Sequence, residues 1–246
     1  MSASEILKIL YAPQKAFNEI VQNPKYFGPL LIIILVIAAN FGFTYVAISK
    51  TYVEQILPNG SNLDEWTENS TLWTSNAGKS ESGDYVNGSL YGNRSIAFSM
   101  NDNSQVWAQL EGIGSVNCSG PDGFNELSFR IKWTSPSAKP EDVTIYLLSG
   151  NSSDYFYDSL TENLSTYNIW NNMTVQLVSA GWSTNSPHAD WSNITGLKLQ
   201  FTWLENSNIT LLIDGLFLHG PFKSLLENAA TSYLTNYSVL AAMQYV

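Results

Sequence analysis

The chain has 246 residues, and its 11 Lys and Arg stand against 21 Asp and Glu for a net charge of −10. That acidity excludes nucleic acid and anionic lipid as partners of the bulk of the protein, and a single cysteine, Cys118, excludes an intrachain disulfide framework. Only 13% of residues are charged, so the polar part must owe its solubility to Asn, Ser, Thr and glycan.

Ser2-x-x-Glu5 is a capping box, and Ile6, Leu7, Ile9 and Leu10 continue it into a short amphipathic helix that stops at Pro13. A second helix is predicted from Pro13, with Phe17, Ile20 and Val21 on one face, ending at Asn23-Pro24. Residues 1–25 are expected to be cytoplasmic. The uncharged stretch from Tyr26 to Ser49, about 24 residues at 1.5 Å rise, is long enough for a roughly 30 Å hydrocarbon core. It is too long for a usual signal-peptide core, and no clean small-x-small site follows it. Residues 26–57 are therefore predicted as a transmembrane helix and its extension, with the lipid bilayer as partner. Lys8, Lys15 and Lys25 precede it and only Lys50 follows closely, which places the N-terminus in the cytoplasm.

The N-terminal residues resemble the start of the Yip family of membrane proteins. The likeness is carried by Tyr11-Ala12-Pro13-Gln14-Lys15-Ala16-Phe17, then Asn23-Pro24-Lys25-Tyr26 and Gly28-Pro29 before a Leu/Ile run. It covers about the first 45 residues and implies several transmembrane helices and a membrane-organising role, with the outer domain inserted after the first helix and later spans missing.

Asn-x-Ser/Thr acceptor sites stand at Asn59, Asn69, Asn87, Asn93, Asn117, Asn151, Asn163, Asn172, Asn193, Asn208 and Asn236, and none precedes the apolar stretch. This one-sided excess predicts N-linked glycans on everything after Lys50, which would lie outside the cell membrane or in a secretory lumen. The Yip-like start joined to a β domain favours an archaeal surface. Residues 58–83, rich in Asn, Ser, Thr and Gly, read as a polar stalk. Period-two alternation follows at Leu127, Phe129, Ile131 and Trp133, at Val143, Ile145 and Leu147, and at Leu197, Leu199, Phe201 and Trp203. With further runs near 96–100, 105–110, 174–178 and 209–218 this predicts seven or eight strands over residues 84–221. The fold class expected is mainly β: one N-terminal transmembrane helix followed by an extracytoplasmic antiparallel β-sandwich of jelly-roll type. Residues 222–246 are predicted to form a helix returning toward the membrane.

Trp170 through Leu177, Gly181-Trp182 and Ile213-Asp214-Gly215 in the closing strand resemble the galactose-binding-like jelly rolls of carbohydrate-binding modules. The resemblance implies binding, and an acidic residue on the closing strand that holds a structural calcium. Asp214 interrupts an apolar run where a lone carboxylate would be costly, and Asp84 could complete such a site. Trp170, Trp182, Trp191, Tyr155 and Tyr157, beside predicted loops, are candidates to stack on sugar rings, whereas Trp133 and Trp203 are in phase with the core. His188 and His219 have no zinc spacing, no nucleophile elbow occurs, Glu141-Asp142 reads as a solvated turn, and no catalysis is expected. Two functions remain open: binding of glycan or envelope components, and an accessory subunit of a larger membrane complex, favoured by Asn40, Gly42 and Thr44 in the span.

Overall fold

The computed structural model describes residues 11, 12, 14, 15, 18, 27–59, 64–88, 92–178 and 181–228. Most of the two amphipathic helices expected before residue 25, the tail beyond residue 228 and the acceptor Asn236 lie outside them. The chain divides into two compact units, one carrying the apolar helix and the other spanning Glu54–Phe222.

In the first unit, helix α1 (Phe27–Lys50) is uncharged until Lys50 in its last turn, and it is long and apolar enough to cross a membrane. Leu30, Ile33, Leu35 and Phe43 are exposed along it, as expected of a helix that is apolar on every side. Ser49 Oγ donates to Val46 O at 3.0 Å and Thr51 Oγ1 to Ala47 O at 2.8 Å, so hydroxyls occupy carbonyls of the final turn. The helix does not extend to residue 57. Strand β1 (Tyr52–Leu57) begins two residues after it, since Tyr52, Val53 and Ile56 favour a pleated surface. Of the segment predicted to return as a helix, the described residues include the turn α3 (Leu225–Asn228), whose Leu225 N–H donates to Thr51 O at 2.9 Å.

The second unit is an antiparallel β-sandwich. After the turn α2 (Glu65–Glu68) come β2 (Trp73–Ser75), β3 (Gly78–Ser82), β4 (Ser95–Val116), β5 (Glu126–Ser135), β6 (Asp142–Ser149), β7 (Asn151–Ser159), β8 (Asn171–Gln176), β9 (Ser183–Thr184) and β10 (Ile194–Ser224). The two long strands β4 and β10 belong to both layers. One layer runs β2-β4-β10-β6-β7-β9 through residues 105–111 of β4 and 196–202 of β10. The other has β3 on residues 95–99 of β4, then β10 from Ile209, then β5 and β8. Register shifts between Thr202 and Ile209 mark where β10 changes layer.

Inward residues of both layers form one core, in which Val106, Leu110, Ile145, Leu199 and Phe201 meet Phe98, Leu127, Phe129, Ile131, Leu211 and Ile213. Trp133 and Trp203 belong to it, as their phase predicts. Gly196 lets β4 and β6 close around β10, because a Cβ there would stand 2.5 Å from the Leu110 carbonyl.

Residues 64–83 are not a stalk. Trp73 is fully buried, its indole N–H donates to Trp66 O at 2.7 Å, and its ring meets Phe98 edge-on at 5.7 Å. The stretch is polar because β2 and β3 lie outermost, each pairing only with β4, so Trp66 and Trp73, with the buried Asp64 and Thr67, anchor a segment most of whose other residues face water.

Candidate binding face

Strand alternation places a second set of side chains on the open face of the β2-β4-β10-β6-β7-β9 layer. Gln109, Lys198, Tyr146 and Tyr157 are successive cross-strand partners in one row. The next row holds Trp107, Gln200 and Thr144, and the one beyond it Gln105, Thr202 and Asp142. Tyr155 lies two residues from Tyr157 on the same side of β7. Three tyrosines cluster here: Tyr146 is 5.3 Å from Tyr155 and 6.2 Å from Tyr157, centroid to centroid. Lys198 Nζ stands 5.2 Å from the centroids of both Trp107 and Tyr146. Burial, then its tyrosine neighbours, push the Tyr146 hydroxyl above its ordinary value, and burial pulls Lys198 below its own.

Beyond the first row, Glu111 and Leu148 flank Gly196 in the ladder and open onto a recess of about 320 Å³, lined also by Gly112, Gly114, Asn151 and Thr195. Gln109 Nε2 donates to the Glu111 carboxylate, and Thr144 Oγ1 donates to Asp142 at 2.8 Å. The face therefore combines four rings, amide and hydroxyl donors, one ammonium group and two carboxylates at its margins. Flat rings can cover the apolar faces of sugars while the polar groups meet hydroxyls.

The residues singled out from sequence divide. Tyr155 and Tyr157 are on this face. Trp182 and Trp191 instead pack against the core, with Trp191 stacked on Phe156 at 4.1 Å, Trp182 edge-on to Trp191 at 5.4 Å, and Trp182 Nε1 donating to Gln176 O at 2.9 Å. Trp170 is on neither, lying near Lys132, whose Nζ is 6.0 Å from its ring. Trp182→Ala is expected to cost about 1–3 kcal/mol in thermal unfolding. Trp107, Tyr146 and Lys198 were not singled out, though their signal is in the sequence: each stands out of phase with the buried positions of its own strand.

Asp84 and Asp214 do not come together. Asp84 Oδ2 accepts from Lys132 Nζ at 2.6 Å. Asp214, fully buried, accepts from Val86 N at 2.6 Å and Gly215 N at 2.8 Å. Its carboxyl shares the Thr67 hydroxyl with Asp64, whose Oδ2 accepts from Gly92 N at 3.0 Å. Each oxygen of Asp214 thus already has an amide donor, and Asp84 is engaged with a cation, so the two do not fit a shared calcium cage. Among the described residues no three His, Cys, Asp or Glu side chains are grouped as a metal site requires. Burial, above all, pushes Asp64 up to about 7, with repulsion from Asp214 and Glu68 adding to it, and burial raises Asp214 as well.

Ser128 Oγ lies 2.7 Å from His219 Nε2, and His219 Nδ1 lies 3.0 Å from Glu54 Oε1. These are the spacings of a serine–histidine–carboxylate relay, but Ser128 stands inside β5 with partners on both sides, Phe217 and Thr174. The neighbouring amides are committed to the ladders and are not free to form an oxyanion hole. The Cys118 thiol is pushed up to about 12 by burial, which suits a packing role and not a nucleophile.

Of the eleven acceptor asparagines, ten lie in the described residues. Asn59, Asn87, Asn93, Asn117, Asn151, Asn163, Asn172 and Asn208 are exposed, and Asn69 and Asn193 are half-buried. None stands in the three rows of the open face.

No protein-family model matches the chain, and no curated protein matches it. Among solved structures it is similar to a family 11 carbohydrate-binding module from Clostridium thermocellum in complex with a β-1,3-1,4-mixed-linked tetrasaccharide. The identity is 14% and the TM-score 0.43, over 68% of this chain and 95% of that one. It is also similar to a family 30 carbohydrate-binding module of a C. thermocellum cellulosomal cellulase, at 12% identity and TM-score 0.45 over 64% and 96% of the two chains. A β-1,2-glucanase from Parabacteroides distasonis matches at 14% identity and TM-score 0.43 over 62% of this chain and 24% of that one.

Proposed function

We propose that the chain is a membrane-anchored, N-glycosylated surface protein whose β-sandwich binds glycan without transforming it. The observation that carries this reading is the open face itself, where Trp107, Tyr146, Tyr155 and Tyr157 stand with amide and hydroxyl side chains on a rigid sheet, in rows that hold no acceptor asparagine, with Asn151 at the recess beyond them. Rings on adjacent strands are held by the backbone ladder, so little side-chain entropy is lost when a ligand stacks on them. The apolar α1 supports anchoring, and the acceptor sites beyond it support an extracytoplasmic sandwich with a cytoplasmic N-terminus. Affinity electrophoresis of the full-length protein in detergent through gels containing soluble polysaccharides tests the binding. Retardation by at least one polymer, abolished by free ligand, is expected, and uniform migration in all of them overturns the reading.

A second reading, an accessory subunit of a membrane complex, draws on Asn40, Gly42 and Thr44 in α1, because small and polar residues let helices approach and bond within lipid. A Yip-like organising role would require further spans. Pull-down from the native membrane in mild detergent separates these: stoichiometric membrane partners support the subunit, and a lone glycosylated chain supports the independent binder.

A further inference from the structure

The Glu54–Phe222 unit carries eighteen Asp and Glu against six Lys and Arg. Arg94 pairs with Glu81, Lys132 with Asp84, and Lys79 donates to the Trp73 carbonyl, while Lys139 is exposed to solvent. Lys198 is different. It stands in the middle of the open face, half-buried, and among the described residues its ammonium group has no ion pair and no hydrogen bond. Glu111, two residues along β4 from its cross-strand partner Gln109, accepts from Gln109 instead. Asp142, four residues along β6 from Tyr146, is held by Thr144.

An ammonium partly removed from water is costly unless something replaces the lost hydration. The faces of Trp107 and Tyr146 do this in part, but rings accept no conventional hydrogen bond, so the N–H donors turned to solvent are open to a ligand. A neutral sugar platform needs only rings, amides and hydroxyls. A central, unpaired cation fixed between two rings is what a platform needs to read a negative charge.

We propose that the open face takes an anionic glycan, with the rings covering the sugar and Lys198 binding its acidic group. This rests on the glycan-binding reading above. The net charge of the domain repels a polyanion at long range, so any preference for acidic sugar arises locally at Lys198 and not from a general positive field.

The test uses full-length protein in detergent and three probes: polygalacturonate, the same polymer after reduction of its carboxyls to alcohols, and dextran sulfate. Wild type is expected to bind polygalacturonate about tenfold more tightly than the reduced polymer. Lys198→Met should cancel that difference while keeping the weaker binding of the reduced polymer, and Lys198→Arg should preserve it. Binding of dextran sulfate with the same dependence on Lys198 extends the specificity to sulfate, and its absence confines it to carboxylate. Equal affinity of wild type for the acidic and reduced polymers, unchanged in Lys198→Met, overturns the inference and leaves the glycan-binding reading standing. Failure to bind any of these or of the neutral polysaccharides above overturns both.

Discussion

Replacing Trp107 and Tyr146 together by alanine is expected to weaken glycan binding about a hundredfold while shifting the melting temperature by no more than a few degrees. Both rings point away from the core, out of phase with Val106 and Ala108 on β4 and with Ile145 and Leu147 on β6. Each ring stacked on a sugar contributes roughly 1–2 kcal/mol from area covered and face-on contact, so two removed at once cost about 3 kcal/mol, or about two powers of ten. Lys198 also loses both of its flanking rings, which makes the pair of substitutions more than additive for an acidic ligand. Titration calorimetry against the polymer that retards the wild type reads the loss. An unchanged affinity in a folded double variant would move the site off this face.

The second large effect is on stability and concerns the buried carboxyl pair. Asp64, raised from 3.8 to about 7, keeps its proton in the native state at pH values where the unfolded chain has released it. The stabilisation is therefore complete below about pH 4, declines as pH rises, and is gone above about pH 7. The groups facing the pair are the Glu68 carboxylate, which adds repulsion, the Thr67 hydroxyl, and the amides of Val86, Gly92 and Gly215. Asp64→Asn removes the titration, so its stability relative to wild type should rise between pH 4 and pH 8 by roughly 2–4 kcal/mol. The comparison at pH 4 shows the cost of the amide for itself. Asp214→Ala should lose about 2–3 kcal/mol at pH 4, because it strips the acceptor from two buried amides, and the loss should shrink as pH rises, because the variant also removes a raised carboxyl and its repulsion of Asp64. Denaturant unfolding across the pH range, with and without EDTA, checks all three curves. A wild-type melting temperature that falls with chelator at pH 7, with Asp64→Asn less stable there, would reassign the pair to a bound cation.

How much of this was legible before the structure depends on which interaction dominates locally. Leu127-x-Phe129-x-Ile131-x-Trp133 announces a strand with one buried face, and the structure places all four in the core, because side-chain alternation is a property of the extended backbone alone. The segment 64–83 failed the same test. Its strands are short and outermost, their outward residues are polar, and the signal from Trp66 and Trp73 is two residues among many. The end of α1 failed for a related reason, since residues 52–57 are apolar enough to continue a helix and their partner strand is more than a hundred residues away.

For the site, the loop tryptophans were natural candidates, but Trp182 and Trp191 close one end of the core, a role that depends on Phe156 lying beneath them. Tyr155 and Tyr157 stand out by their spacing in an aromatic run, whereas Tyr146 and Trp107 each stand alone between buried residues, and only the pairing of their strands brings them to one face.

By itself the sequence determined the apolar helix, the sandwich class, the acidic character, the one-sided acceptor sites and which strand residues face inward, because each of these follows from local composition or from a period along one strand. Only the tertiary structure decided that Trp107, Lys198, Tyr146 and Tyr157 share one face, and that Asp64 and Asp214 share one buried pocket. Those groups come from strands and turns as much as 150 residues apart. Their meeting depends on inter-strand register and on the crossing of β4 and β10 between layers, and neither is encoded within any one segment.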